Sequence, residues 1–146
     1  MQSRANFNKI VQWLRDFGFP VETPSNTELY AKVIPPWKQH PDAFAYIAFG
    51  KKTSDSLSIG TDIELKGEYK NAVDALKPLA QDQIFMDMRK LVYPLGINLD
   101  TRYPTISLHK LIFFESLREK QYFFDSFTGL LNAMQLVLIR LDELRV

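Results

Sequence analysis

Residues 57–65 read LSIGTDIEL, and their alternation decides the fold. Leu57, Ile59, Thr61, Ile63 and Leu65 fall on one face of an extended chain, with Ser58, Gly60, Asp62 and Glu64 on the other. A period of two is the pattern of a strand with one buried and one wetted side. From Glu68 the apolar period lengthens to 3.6, so helix follows strand. Pro78 interrupts this region, and proline costs about 3 kcal/mol inside a helix. The spacing therefore predicts a short helical turn before Pro78 and a full helix starting near it. That helix places Ile84, Phe85, Met88, Leu91, Val92 and Leu95 on one face and stops at Pro94 and Gly96.

On the amino-terminal side, Phe7, Ile10, Val11, Leu14 and Phe17 recur at helical spacing, with Ser3 as N-cap and Gly18 as stop. They predict a helix over about residues 3–17. Thr27 to Ile34 alternates, with Leu29, Ala31 and Val33 on one side, and Ala43 to Phe49 is rich in strand formers. Gly50 to Asp55 supplies a turn, so three successive strands form an antiparallel meander. On the carboxy-terminal side, Ile97 to Asp100 and Thr105 to Phe114 read as two strands around an Arg102, Tyr103, Pro104 turn. A polar link, Glu115 to Lys120, leads into a long helix over about residues 121–144. Phe123, Phe127, Leu130, Met134, Val137, Leu138 and Leu141 form its single stripe. The order α-β-β-β-α-β-β-α describes an α+β domain, an antiparallel sheet with helices packed against it.

The chain has 146 residues, 46% hydrophobic and 24% charged, a size and composition expected of one domain over residues 1–146. There is no cysteine, which excludes disulfides, thiol nucleophiles and cysteine-type zinc sites. Eighteen Lys and Arg against 17 Asp and Glu leave a net charge of +1, too little for a sheath of phosphate contacts. No nucleic-acid partner is expected. The opening MQSRANFNKI lacks the apolar run of a signal peptide, and no segment reads as a bilayer span. A cytoplasmic protein without membrane contact is expected.

The element order resembles the type III secretion chaperone-like fold, which secretion chaperones share with bacterial YbjN-like proteins. Phe85, Met86, Asp87, Met88 and Arg89, the strand Leu111 to Phe114, and the Phe123-Phe124 pair make the carboxy-terminal half similar to an uncharacterised archaeal and bacterial family of that fold. The resemblance implies a protein-contacting module, because secretion chaperones are homodimers that hold a partner chain. Such chaperones are usually strongly acidic, whereas this chain is nearly neutral.

Residues suited to chemistry are sparse. His40 and His109 have no nucleophile motif around them and lack metal-ligand spacing, so no metal or cofactor is expected. Asp62 and Glu64 share a strand face with Lys66, which suits a solvated surface rather than a desolvated acid-base pair. Gly50-Lys51-Lys52-Thr53 lacks the upstream glycine of a phosphate loop, with Ala45 in its place. Tyr30, Lys32 and Tyr46 could form an aromatic and basic patch, but no basic run exceeds two residues. Together these features argue against an enzyme of a familiar kind, and no catalytic residue is assigned.

Protein contact has better candidates. Leu136 and Ile139 lie away from the main stripe of the last helix, and Gly129 and Ala133 on the same flank would admit a second backbone. Met86 and Tyr93 lie opposite the core face of the middle helix. Either these surfaces are covered by the first helix or by loops, or they join two copies in a homodimer. Trp37, between Pro36 and Lys38, is either an interface anchor or folds back over the sheet. The expectation is a homodimeric protein- or peptide-binding module. Its alternative is a small-molecule-binding domain or enzyme with a pocket between sheet and closing helix, His109 and Tyr103 at the mouth.

Overall fold

The computed structural model describes residues 2–24, 29–35, 44–49, 56–113 and 120–144. Within these, helix α1 (Gln2–Asp16) is followed by strands β1 (Val21–Glu22), β2 (Tyr30–Val33), β3 (Ala45–Phe49) and β4 (Ser56–Glu64). Helices α2 (Gly67–Asp74) and α3 (Pro78–Val92) come next, and a 3-10 turn (Tyr93–Leu95) extends α3. Strands β5 (Asn98–Arg102) and β6 (Thr105–Phe113) precede the closing helix α4 (Lys120–Leu144). The six strands form one antiparallel sheet in the order β1-β2-β3-β4-β6-β5.

The predicted alternation holds along β4. Leu57, Ile59 and Thr61 are fully buried on the helix side, while Asp62 and Glu64 are exposed. Thr61 is a hydroxyl in an apolar layer, and it is satisfied by donating to Phe44 O at 2.6 Å. The stripe of α4 lies over this layer with Phe123, Phe127, Leu130, Met134, Val137 and Leu141 almost fully buried. By length and composition α4 could cross a membrane, its best 18-residue window having a mean hydropathy of 1.2. The buried stripe accounts for that apolarity as a core helix. Tyr69 of α2 ties onto α4 by donating to Asp142 Oδ1 at 2.6 Å.

Chain stops are built where sequence signals placed them. Gly18 at φ 103° and Gly96 at φ 76° occupy the left-handed position after a helical end. In each case the amide beyond the glycine reaches back, Phe19 N–H to Leu14 O at 3.0 Å and Ile97 N–H to Val92 O at 3.4 Å. Pro78 begins α3, so the region after Glu68 is two helices, as the proline required.

Several expectations need correction. β1 was not anticipated: two residues carry no readable period, and they are extended because they pair with Lys32 and Val33. Leu91 leaves the α3 core face and is exposed, as the buried line narrows to Ile84, Met88 and Val92. The Gly129–Ala133 flank of α4 is not open to a second copy. A Cβ on Gly129 would lie 3.1 Å from Leu95 O, and Ala133 is fully buried, so this flank takes the chain's own 3-10 turn. Trp37, His40, the 50–55 turn and most of the 115–120 link lie outside the described residues.

Both sheet edges are occupied by arginine. Ile34 N–H donates to Pro20 O at 3.0 Å, so the next residue, Val21, turns its carbonyl away from β2. Arg15 Nη2 donates to that carbonyl at 3.2 Å. At the far edge Arg89 Nε donates to Leu99 O of β5 at 3.2 Å. A charged donor on an edge carbonyl blunts indiscriminate strand pairing there.

Candidate functional site

The two faces of the sheet differ in chemistry. The face turned from the helices carries Tyr30 and Tyr46, stacked with ring centroids 6.0 Å apart and planes at 23°. Both hydroxyls have pKa values above the ordinary tyrosine value, chiefly through burial and then through the charge of Asp62. Lys32 lies 4.3 Å over the Phe44 ring, Ser107 donates to Asp62 Oδ1 at 2.7 Å, and His109 Nε2 is 2.6 Å from Asp100 Oδ2. The structure thus brings Tyr30, Lys32 and Tyr46 to one face, with the charge of Asp62 acting on both tyrosines. His109 is on this open face, bonded to Asp100, so it is not at the mouth of a pocket under α4.

A concave feature lies at the edge of the sheet. A groove of about 490 Å³ runs between α3 and the edge strand β5, lined by Gln81, Asp82, Phe85, Met86, Arg89, Thr101 and Tyr103. None of its lining residues comes from α4, so this groove is distinct from the expected pocket between sheet and closing helix. Of the two residues placed at that mouth, Tyr103 lines the groove and His109 does not. A groove of this size accommodates a small ligand or a few residues of peptide.

Its architecture follows from local sequence. Phe85 and Arg89 project from the flank of α3 beside the Ile84, Met88 and Val92 face, with Phe85 partly buried against the core, and Met86 projects from the far side. Arg89 is by Leu99, and the Phe85 ring meets Tyr103 edge-on at 6.3 Å, so α3 runs opposite in direction to β5. Tyr103 donates to Asp74, which also holds Lys70 at 2.8 Å. Burial, this hydrogen bond and the Asp74 charge push the Tyr103 hydroxyl up to about 12, so it stays protonated and holds the end of the groove. The Lys70 and Tyr103 bonds hold the Asp74 carboxyl below the usual value.

On the β5 side the groove is bordered by the outer edge of the sheet, with Leu99 O taken by Arg89. Arg102 and Thr105 close a two-residue turn as partners, and outward amides recur at every second residue back along β5. Thr101 and Leu99 therefore face the free edge, which agrees with Leu99 O accepting from Arg89. Thr101 Oγ1 is shielded from solvent without a hydrogen-bond partner among the described residues. Among those residues no strand pairs with this edge of β5.

The described residues proposed for protein contact fall on two helices, α3 and α4. Met86, 47% exposed, forms part of the groove, while Tyr93 at 75% stands at the end of α3. Ile139 is 55% exposed on α4, and Leu136 beside it is half-buried. Arg89, Asp82 and Thr101 were missed by sequence reading. Arg89 and Thr101 have no shared motif, and only packing of α3 on the sheet edge joins them. Lys110 was missed as well: it points into the helix layer, where Nζ donates to Ser126 Oγ at 3.1 Å and lies 5.6 Å from the Tyr122 ring centroid. It stands by Gly96, at the negative end of α3.

The described residues present one open sheet face, one helical layer and a groove beside the edge strand β5. The chain belongs to the uncharacterised conserved protein family DUF2299, whose pattern matches residues 7–141. Among solved structures it is similar to an uncharacterised protein from Methanothermobacter thermautotrophicus, at 19% identity and a TM-score of 0.78. That match covers 94% of this chain and 97% of the other, and it shows a shared fold. No curated protein matches the chain.

Proposed function

We propose that this protein is a peptide-binding module that takes an extended segment of another chain into the groove between α3 and β5. The observation that carries the reading is the free edge at Thr101, set in a concave channel between aromatic and charged side chains. An added strand gains main-chain hydrogen bonds from such an edge and side-chain specificity from the neighbouring helix. Thr101→Pro is the direct test. Its N–H points away from β6, so proline there leaves the β5–β6 ladder intact while removing the donor and blocking an incoming strand. The probe is an uncharged tetrapeptide of alternating threonine and valine, titrated into isotope-labelled protein by NMR. The expected result is movement of the Leu99 and Thr101 amides in the parent and none at the peptide site in folded Thr101→Pro. Unchanged binding in Thr101→Pro refutes the reading.

A homodimer accompanies this reading. Leu79, Met86 and Tyr93 are seven residues apart in sequence and form one exposed line along α3, with Leu79 85% exposed. Seven-residue apolar spacing suits pairing with a helix of a second copy, and α3 carries it more continuously than Leu136 and Ile139 do on α4. Sedimentation of Leu79→Glu with Tyr93→Glu should show a monomer where the parent and Ile139→Asp show a dimer. A monomeric parent at micromolar concentration refutes the dimer without touching the groove.

A further inference from the structure

The groove has a polarity that a strand-shaped ligand would feel, and its value rests on the peptide-binding reading above. Asp82 and Arg89 both line it and are seven residues apart on α3, two helical turns or about 10 Å. Phe85 and Met86 lie between them. Arg89 is fixed through Nε on Leu99 O, which leaves its remaining guanidinium N–H groups for another acceptor. At the opposite end, Tyr103 and the carboxylate of Asp74 stand near Phe85. Asp74 is paired with Lys70, so Asp82 makes one end of the channel negative, the middle is apolar, and Arg89 makes the other end positive.

That spacing matches a short peptide. Three extended residues span about 10 Å, so a chain of three or four residues would place its two ends by the two charges. Direction is decided as well. Because α3 runs opposite to β5, a strand added antiparallel to β5 begins beside Asp82 and ends beside Arg89. An α-ammonium then meets the carboxylate and an α-carboxylate meets the guanidinium. A parallel strand would bring like charges together at both ends.

We infer that the groove binds short peptides with free ends, antiparallel to β5, with the amino end at Asp82 and the carboxylate at Arg89. Thr101 supplies the central backbone pairing, and the planar guanidinium suits a carboxylate fork. Side chains directed toward α3 contact Phe85 and Met86, so small apolar residues suit the middle positions. Such a ligand is the product of peptide-bond hydrolysis.

The test uses the threonine–valine tetrapeptide in four forms: free, amidated, acetylated and capped at both ends. Each is titrated into the parent, Arg89→Met, Arg89→Lys and Asp82→Asn, with the Leu99 and Thr101 amides as readout. In the open groove each end contact should be worth about two- to fivefold in affinity. Amidation should weaken binding to the parent and to Arg89→Lys, with no further effect in Arg89→Met. Acetylation should weaken binding to the parent and have no further effect in Asp82→Asn. Equal binding of all four forms overturns end recognition while the groove reading stands. Tighter binding on capping reports parallel docking and overturns the direction. If no form moves either amide, the peptide-binding reading falls and this inference with it.

Discussion

Gly60→Ala probes the sheet where it is most tightly built. Gly60 is opposite His109 on one side and Tyr46 on the other. An added Cβ would lie 2.6 Å from Leu108 O, 2.6 Å from Tyr46 Oη and 2.8 Å from Tyr46 Cζ, all below the 3.0 Å that real Cβ atoms keep. The two obstacles respond differently. Tyr46 can swing aside, but it then gives up its stack on Tyr30, an interaction of about 0.5–1.5 kcal/mol. Leu108 O is backbone of β6 and moves only with the ladder, and overpacking of that kind costs about 1–3 kcal/mol. Alanine recovers about 0.4–1 kcal/mol through a less flexible unfolded chain. The net expectation is a loss of about 0.5–4 kcal/mol, or roughly 1–16 °C in Tm at this chain length. Urea unfolding followed by circular dichroism measures it. Tyr46→Ala in the same background should relieve the part owed to the ring, making the two changes non-additive by about 0.5 kcal/mol or more. A Gly60→Ala protein within about 0.5 kcal/mol of the parent refutes the packing of Tyr46 across β4.

Three further outcomes follow from particular contacts. The Tyr103 hydroxyl, raised to about 12, favours folding fully below pH 10, and that contribution is lost as pH climbs through about 12; tyrosinate absorbance should lose its highest transition in Tyr103→Phe. The His109 hydrogen bond, followed by minor charge effects, holds the Asp100 carboxyl below its usual 3.8, so its contribution is present above that pH and fades as pH falls through the lowered value. NMR titration of His109→Ala should return Asp100 toward the ordinary value, and an unmoved midpoint contradicts the pairing. Lys110→Met keeps the aliphatic stem but removes the donor to Ser126 and the charge at the end of α3, for a loss of about 1 kcal/mol by urea unfolding. Unchanged stability would assign Lys110 no such role.

Periodicity was legible wherever one element meets one layer. The α4 stripe from Phe123 to Leu141, the alternation of β4 and the break at Pro78 all appear in the structure, because burial of one face leaves a repeat in the residues themselves. Two residues such as Val21 and Glu22 are too few to show a repeat, and their conformation is imposed by β2. Leu91 fits the helical stripe by angle, yet the core is narrower than the apolar arc. Gly129 and Ala133 read as room for a neighbour, which the structure supplies from Leu95 of the same chain.

The candidate site was legible only in fragments. Met86 and Tyr103 were singled out for other reasons, and Arg89 was only a residue of a packing pattern. Arg89 and Thr101 come together because α3 crosses the free edge of β5, and that edge exists because β6 inserts between β4 and β5. Strand order is a long-range choice with no local periodicity to announce it. The sequence by itself determined the α+β class, the helical and extended segments and the buried side of most of them, since each depends on neighbours within a few residues. Only the tertiary structure decided which strand lies at the edge, which sheet face stays open and where opposite charges flank a groove, since these depend on residues that meet through packing alone.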